Sequence, residues 1–105
     1  MADMQKQVDD FIGQFEVGYF SPLAMMVRLT EENGELAREI NHYHGEKQKK
    51  ASEDPKSLQE ELGDVLFVVI SMANALEIDL DQAFQQVMTK FQDRDKDRFK
   101  RKSDQ

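Results

Sequence analysis

The sequence predicts an all-α protein, a four-helix unit that folds by association into a helical bundle. Apolar residues recur at spacings of three and four, the pattern of one-sided helices. Only five Gly and two Pro occur in 105 residues, whereas an all-β chain needs frequent turn residues. A charged share of 33% beside 39% hydrophobic residues suits amphipathic helices better than a thick sheet protein. A chain this short buries only a thin core by itself, so self-association is expected.

The first helix is placed over residues 3–16, where Met4, Val8, Phe11, Ile12 and Phe15 fall on one face. Gly18 ends its continuation. Ser21 then reads as an N-cap with Pro22 at the first helical position, opening a second helix that runs to about His44, before Gly45. From Gly45 to Lys56 the run EKQKKASEDPK carries four lysines and few apolar residues, which makes it a solvated connection.

Ser57 and Glu60 form a capping box for a third helix, Leu58 to Leu76, whose LFVVISMANAL stretch is apolar on nearly every side and calls for burial. Asp79 is placed as the N-cap of the fourth helix, in which Leu80, Ala83, Phe84, Val87 and Phe91 make a core stripe before the charged DRDKDRFKRK end. There is no internal repeat and no second composition regime, so residues 1–105 read as one domain.

Several function classes drop out. With no Cys there is no disulfide framework and no thiol nucleophile. The N-terminus lacks a basic stretch followed by an apolar one, and no run approaches the roughly 18 apolar residues of a membrane span. A cytoplasmic protein is the expectation, with no membrane partner. A net charge of −7 opposes phosphate backbones, so no nucleic-acid partner is expected.

The chemistry-bearing pattern is a pair of acidic motifs. EENGE puts Glu32 and Glu35 one turn apart on the second helix, with Glu31 beside that face; ELGD gives Glu61 and Asp64 the same spacing on the third. On a helical wheel Glu61 and Asp64 share a stripe with Val65, Val68, Met72 and Ala75, so both are expected to point inward. Two unpaired buried carboxylates would cost several kcal/mol each. A hard divalent cation held by oxygen ligands from two facing helices compensates them, and four acids make a magnesium cage. The plainer alternatives are that EENGE is a solvated acidic face, and that Arg28 or Arg38 pairs with Glu61 and Asp64.

These residues resemble the MazG-type nucleotide pyrophosphohydrolases, whose hallmark is EExxE on one helix and ExxD on the next. Here those are Glu31-Glu32-x-x-Glu35 and Glu61-x-x-Asp64. The likeness extends to YFSP before the second helix, GELAREI within it, ELGDVLF in the third, and the Lys-Phe-x-x-Arg element from Lys90 to Arg94 in the fourth. The resemblance implies an all-α fold assembled as a homodimer or homotetramer. It further implies Mg²⁺-dependent hydrolysis of a nucleoside triphosphate, NTP or dNTP, to the monophosphate and pyrophosphate, clearing non-standard nucleotides or trimming a regulatory pool. Carried over, Glu32, Glu35, Glu61 and Asp64 are the metal ligands and Glu31 sits beside them. Phosphoryl transfer needs positioning and charge neutralisation more than a protein nucleophile, which suits this set.

Lys90 and Arg94 lie one turn apart and are candidates for binding phosphate oxygens; complementing the helix dipole is the alternative. Lys47, Lys49 and Lys50 are candidates for closing over the triphosphate, or a solvated charge run. Phe11, Phe15, Tyr19 and Phe20 read as packing, with one of them free to meet a nucleobase. Met25, Met26, Met72 and Met88 read as core filling. Two rival readings stand beside this one: a di-iron carboxylate bundle built on Glu39-x-x-His42, and a non-catalytic helical interaction module.

Overall fold

The computed structural model describes residues 1–44, 57–95, 97, 98 and 102. It contains four α-helices, α1 (Ala2–Ile12), α2 (Pro22–His44), α3 (Ser57–Ala75) and α4 (Leu80–Asp95), and no strand among the described residues. The lysine-rich connection at 45–56, and the Ser57 side chain of the expected capping box, lie outside the described residues.

α1 is shorter than its apolar spacing predicts. Its hydrogen bonding tightens as Gln14 and Phe15 donate to the carbonyls of Phe11 and Ile12 at 3.3 and 3.2 Å, a spacing of three that closes a helix end. Gly13 is a poor residue with which to extend it. Gly18 follows at φ 65°, where only glycine escapes the Cβ penalty. Phe15 thus leaves the helix and packs edge-on against Phe11, centroids 5.5 Å apart, while Phe11 meets Phe67 of α3 at 6.3 Å.

α2 starts as its sequence predicts: the Ser21 hydroxyl accepts from the Ala24 amide at 3.2 Å, and Met25 N–H donates to the Ser21 carbonyl at 3.0 Å. α2 and α3 pack along their lengths as an antiparallel hairpin, in which Glu35 meets Glu61 and Arg28 meets Phe67. The core lies in this seam and beside it: Val68 is 1% exposed, and Ile70, Ala73 and Met25 are also buried.

The seam does not cover all of α3. Leu62 is 54% exposed and Leu66 is exposed too, so the burial expected of this helix is met on one side. The α4 expectation is overturned further: no residue of α4 is buried, and Phe84 is 55% exposed. The reason is the helix placement, since α4 packs chiefly against α1, which itself buries nothing fully.

The turn between α3 and α4 is built from two caps. Glu77 and Ile78 donate to the carbonyls of Asn74 and Ala73 at 3.2 and 2.8 Å, a C-terminal closure that needs a left-handed residue. Glu77 fills that place at φ 58°. Asp79 then caps α4 as expected, its carboxylate accepting from the amides of Asp81 and Gln82 at 3.0 and 3.3 Å. A non-glycine residue in the left-handed region carries about 1 kcal/mol of strain, and an N-cap aspartate contributes about 1 kcal/mol. Glu77→Gly therefore raises the midpoint in urea unfolding and Asp79→Ala lowers it, with unchanged m-value in both.

Candidate metal centre

The antiparallel register sets the two acidic motifs against each other. Glu32 of α2 and Glu61 and Asp64 of α3 each offer a carboxylate oxygen, all within 4.8 Å of one another. Glu35, one turn along α2 from Glu32, lies against Glu61 and acts on it. Glu31 is exposed, close enough for its charge to act on Glu32. Glu32 and Glu61 are half-buried, whereas Asp64 is exposed in the single chain. The inward direction expected of Asp64 is thus not seen within one copy: it sits at the open edge of the seam.

Among the described residues Arg28 is the cation whose charge acts on Glu32, and none acts on Glu61. Glu32 Oε2 and Glu61 Oε2 are both buried atoms without a hydrogen-bond partner among the described residues. Burial, and then the neighbouring charges of Glu35 and Asp64, raise the Glu32 carboxyl above its ordinary value; Arg28 opposes this without reversing it. Glu61 is raised by the same causes, burial first, then the charge of Glu35 and the hydrogen bond to it. Arg38 is not among the charges acting on either acid. Neither Arg28 nor Arg38 is among the charges acting on Glu61.

Orphaned oxygens, close spacing and an all-oxygen donor set are what a hard divalent cation requires. The 4.8 Å limit compares with about 4.2 Å, twice a magnesium–oxygen distance, for the widest pair of oxygens on one such ion. The di-iron alternative finds no comparable support. The metal-competent group found among the described residues contains neither Glu39 nor His42.

The remaining predicted site residues are not gathered here. Lys90 and Arg94 lie over the Phe91 ring, at 5.0 and 4.7 Å from its centroid, and Arg94 grips Asp95 through two hydrogen bonds of 3.0 and 3.1 Å. Lys47, Lys49 and Lys50 fall outside the described residues.

Sequence reasoning assigned the aromatic residues before α2 chiefly to packing, and the structure shows a cavity there. About 400 Å³ of space opens between α1, the turn at 13–20 and the α2–α3 seam, with Phe11, Phe15, Phe20 and Phe67 in its wall and Arg28 at its polar edge. Arg28 lies 5.7 Å from the Phe67 centroid and one turn before Glu32, so it stands between cavity and carboxylates. The spacing of Phe11 and Phe15 is legible in the sequence; the early end of α1 that opens the space is not.

A profile of the MazG nucleotide pyrophosphohydrolase domain matches residues 20–99, the stretch that holds both acidic motifs. The chain belongs to the MazG nucleotide pyrophosphohydrolase family. It is 64% identical over 104 residues to the uncharacterized protein YpjD of Bacillus subtilis (strain 168), covering 99% of this chain and 94% of that one. Among solved structures, the YpjD crystal structure from Bacillus subtilis, described as that of a proposed pyrophosphatase, superposes with a TM-score of 0.81 at 64% identity, covering 86% of this chain and 92% of that one. A Bacillus-conserved MazG protein described as a nucleotide pyrophosphohydrolase gives a TM-score of 0.76 at 64% identity, with 86% of each chain covered. This MazG chain is accordingly a nucleotide pyrophosphohydrolase, and among its described residues no helix is long and apolar enough to cross a membrane.

The raised carboxyls make a pH prediction for the metal-free enzyme. Their folded values lie above the ordinary 4.5, so their contribution to stability is fully present below that value and is lost as pH rises through the raised one. Glu61→Gln removes one of the opposed charges. In chelator, the variant gains melting temperature over the wild type, and the gain grows from pH 4.5 to pH 7.

Proposed function

We propose that residues 1–105 work as one cytoplasmic Mg²⁺-dependent domain that hydrolyses nucleoside triphosphates, NTP or dNTP, to the monophosphate and pyrophosphate. The observation that carries this is the pair of buried, unpartnered oxygens on Glu32 and Glu61 within one three-carboxylate group. Glu32, Glu35, Glu61 and Asp64 would hold the magnesium. When bound, the ion neutralises phosphate charge and lowers the pKa of a coordinated water.

The protein's own residues supply position and proton handling. Glu31, exposed beside Glu32, takes up the proton of the attacking water. The water oxygen joins phosphorus, the α–β anhydride bond breaks, and its electron pair leaves with pyrophosphate. The aromatic cavity seats the base: its volume lies within the usual range for small-ligand sites, and Arg28 joins it to the carboxylates. A site of this kind suits the removal of non-standard nucleotides, which differ from ordinary ones in the base.

Phosphate binding by Lys90 and Arg94, with Lys47 and Lys49 from the connection, is assigned to an assembled enzyme. In one copy α4 packs on α1 rather than on the acidic seam. The Cα radius of gyration of 17.8 Å exceeds the about 13 Å of a compact chain of this length. Together with the exposed apolar side chains of α4, this supports a homodimer or homotetramer.

Two experiments test the reading. Pyrophosphate release from a panel of normal and damaged nucleotides is expected with Mg²⁺, and Glu61→Gln and Asp64→Asn should each lower kcat/KM at least about 100-fold while remaining folded. A wild type that cleaves nothing would return the chain to the interaction-module reading. In sedimentation, the wild type runs as a dimer or tetramer, and Phe84→Glu shifts it toward monomer; an unchanged distribution would exclude the α4 face from the interface.

A further inference from the structure

Asn74 lies within the apolar run of α3, and every hydrogen-bonding atom of its amide is engaged. Its Oδ1 accepts from Gln5 Nε2 at 2.9 Å; its Nδ2 donates to the Gln5 carbonyl at 2.9 Å and to the Tyr19 hydroxyl at 3.0 Å. The Tyr19 hydroxyl in turn donates to Asp9 at 2.7 Å. Gln5 completes the set, donating to the Ile78 carbonyl and accepting from the Leu80 amide, both at 2.9 Å. One polar knot therefore joins α1, the turn after it, α3 and the start of α4.

This knot fixes what apolar contact leaves loose. α1 buries no residue fully, and aromatic edges and short apolar side chains allow sliding that directional bonds do not. Tyr19 lines the aromatic cavity and Asn74 does not, so Asn74 acts there through Tyr19 and, through its bonds to Gln5, through α1. It also stands ten residues beyond Asp64 on α3, about 15 Å along the helix, away from the carboxylates.

We propose that Asn74 is a positioning residue for substrate selection, which fixes the Tyr19 side of the cavity while leaving the phosphate chemistry untouched. The inference rests on the reading that the cavity seats the base. Its consequence is a split between kinetic constants: binding of the base weakens, and turnover of bound substrate stays.

The test compares Tyr19→Phe, which keeps the ring and removes the hydroxyl, with Asn74→Asp, which keeps the acceptor for Gln5 Nε2 and loses the donors to Tyr19 and to the Gln5 carbonyl. For the best nucleotide found in the panel, each variant is expected to raise KM about three- to tenfold, the effect of one hydrogen bond, with kcat within twofold. The double variant should add little, because both changes cut the same link. Unmoved KM in both variants, with only a lower melting temperature, would make the knot structural and overturn the proposal. A fall in kcat at unchanged KM would overturn it as well. A wild type without activity would sink the pyrophosphohydrolase reading and this inference together, whereas an active wild type with insensitive variants sinks this inference alone.

Discussion

Carboxylates forced together across one helical seam are the constraint around which this molecule is arranged. Glu32 and Glu35 come from α2, Glu61 and Asp64 from α3, and the antiparallel register that seats Met25 and Val68 in the core brings the acids face to face. Moving either helix by a turn would relieve the repulsion and undo the packing. The apolar part of the hairpin thus holds the acidic part in a state it would not choose alone. Such stored repulsion is what a divalent cation discharges, which links the stability of the fold to the loading of its site.

The elements outside the hairpin are held differently. α1 is fastened by hydrogen bonds to Asn74, Ile78 and Leu80 and by aromatic edges, and α4 leans on α1 with its apolar stripe uncovered. A four-helix unit with only half its helices sharing a buried core is incomplete in energetic terms. Glu32, Glu61 and Asp64 come together within one copy, while Lys90 and Arg94 of α4 lie over the Phe91 ring instead.

Much of this was legible in the sequence because it is written locally. Ser21-Pro22 and Asp79 cap helices through contacts two or three residues away, and the two acidic motifs carry their helical spacing in their letters. Those signals placed the starts of α2 and α4 and the faces of Glu32 and Glu61. What failed to show depends on distant partners. α1 stops at Ile12, and Phe15 turns back upon Phe11. The stripe of α4 has the periodicity of a core helix, yet periodicity does not say whether the covering surface belongs to the same copy. Asp64 lies at the seam's edge for a similar reason: a wheel ranks positions around one helix and cannot see how far the neighbour extends. Asn74 gave no signal either, since its partners Gln5 and Tyr19 are 69 and 55 residues away in sequence.

The most direct test of the account is direct titration of the folded protein with Mn²⁺, followed by loss of the free ion's electron paramagnetic resonance signal, with Mg²⁺ as competitor. The account predicts saturable uptake by the wild type, displacement by Mg²⁺, and loss of uptake when Glu32 and Glu61 are both replaced by Gln. Equal uptake by the wild type and that variant, or none by either, would contradict it.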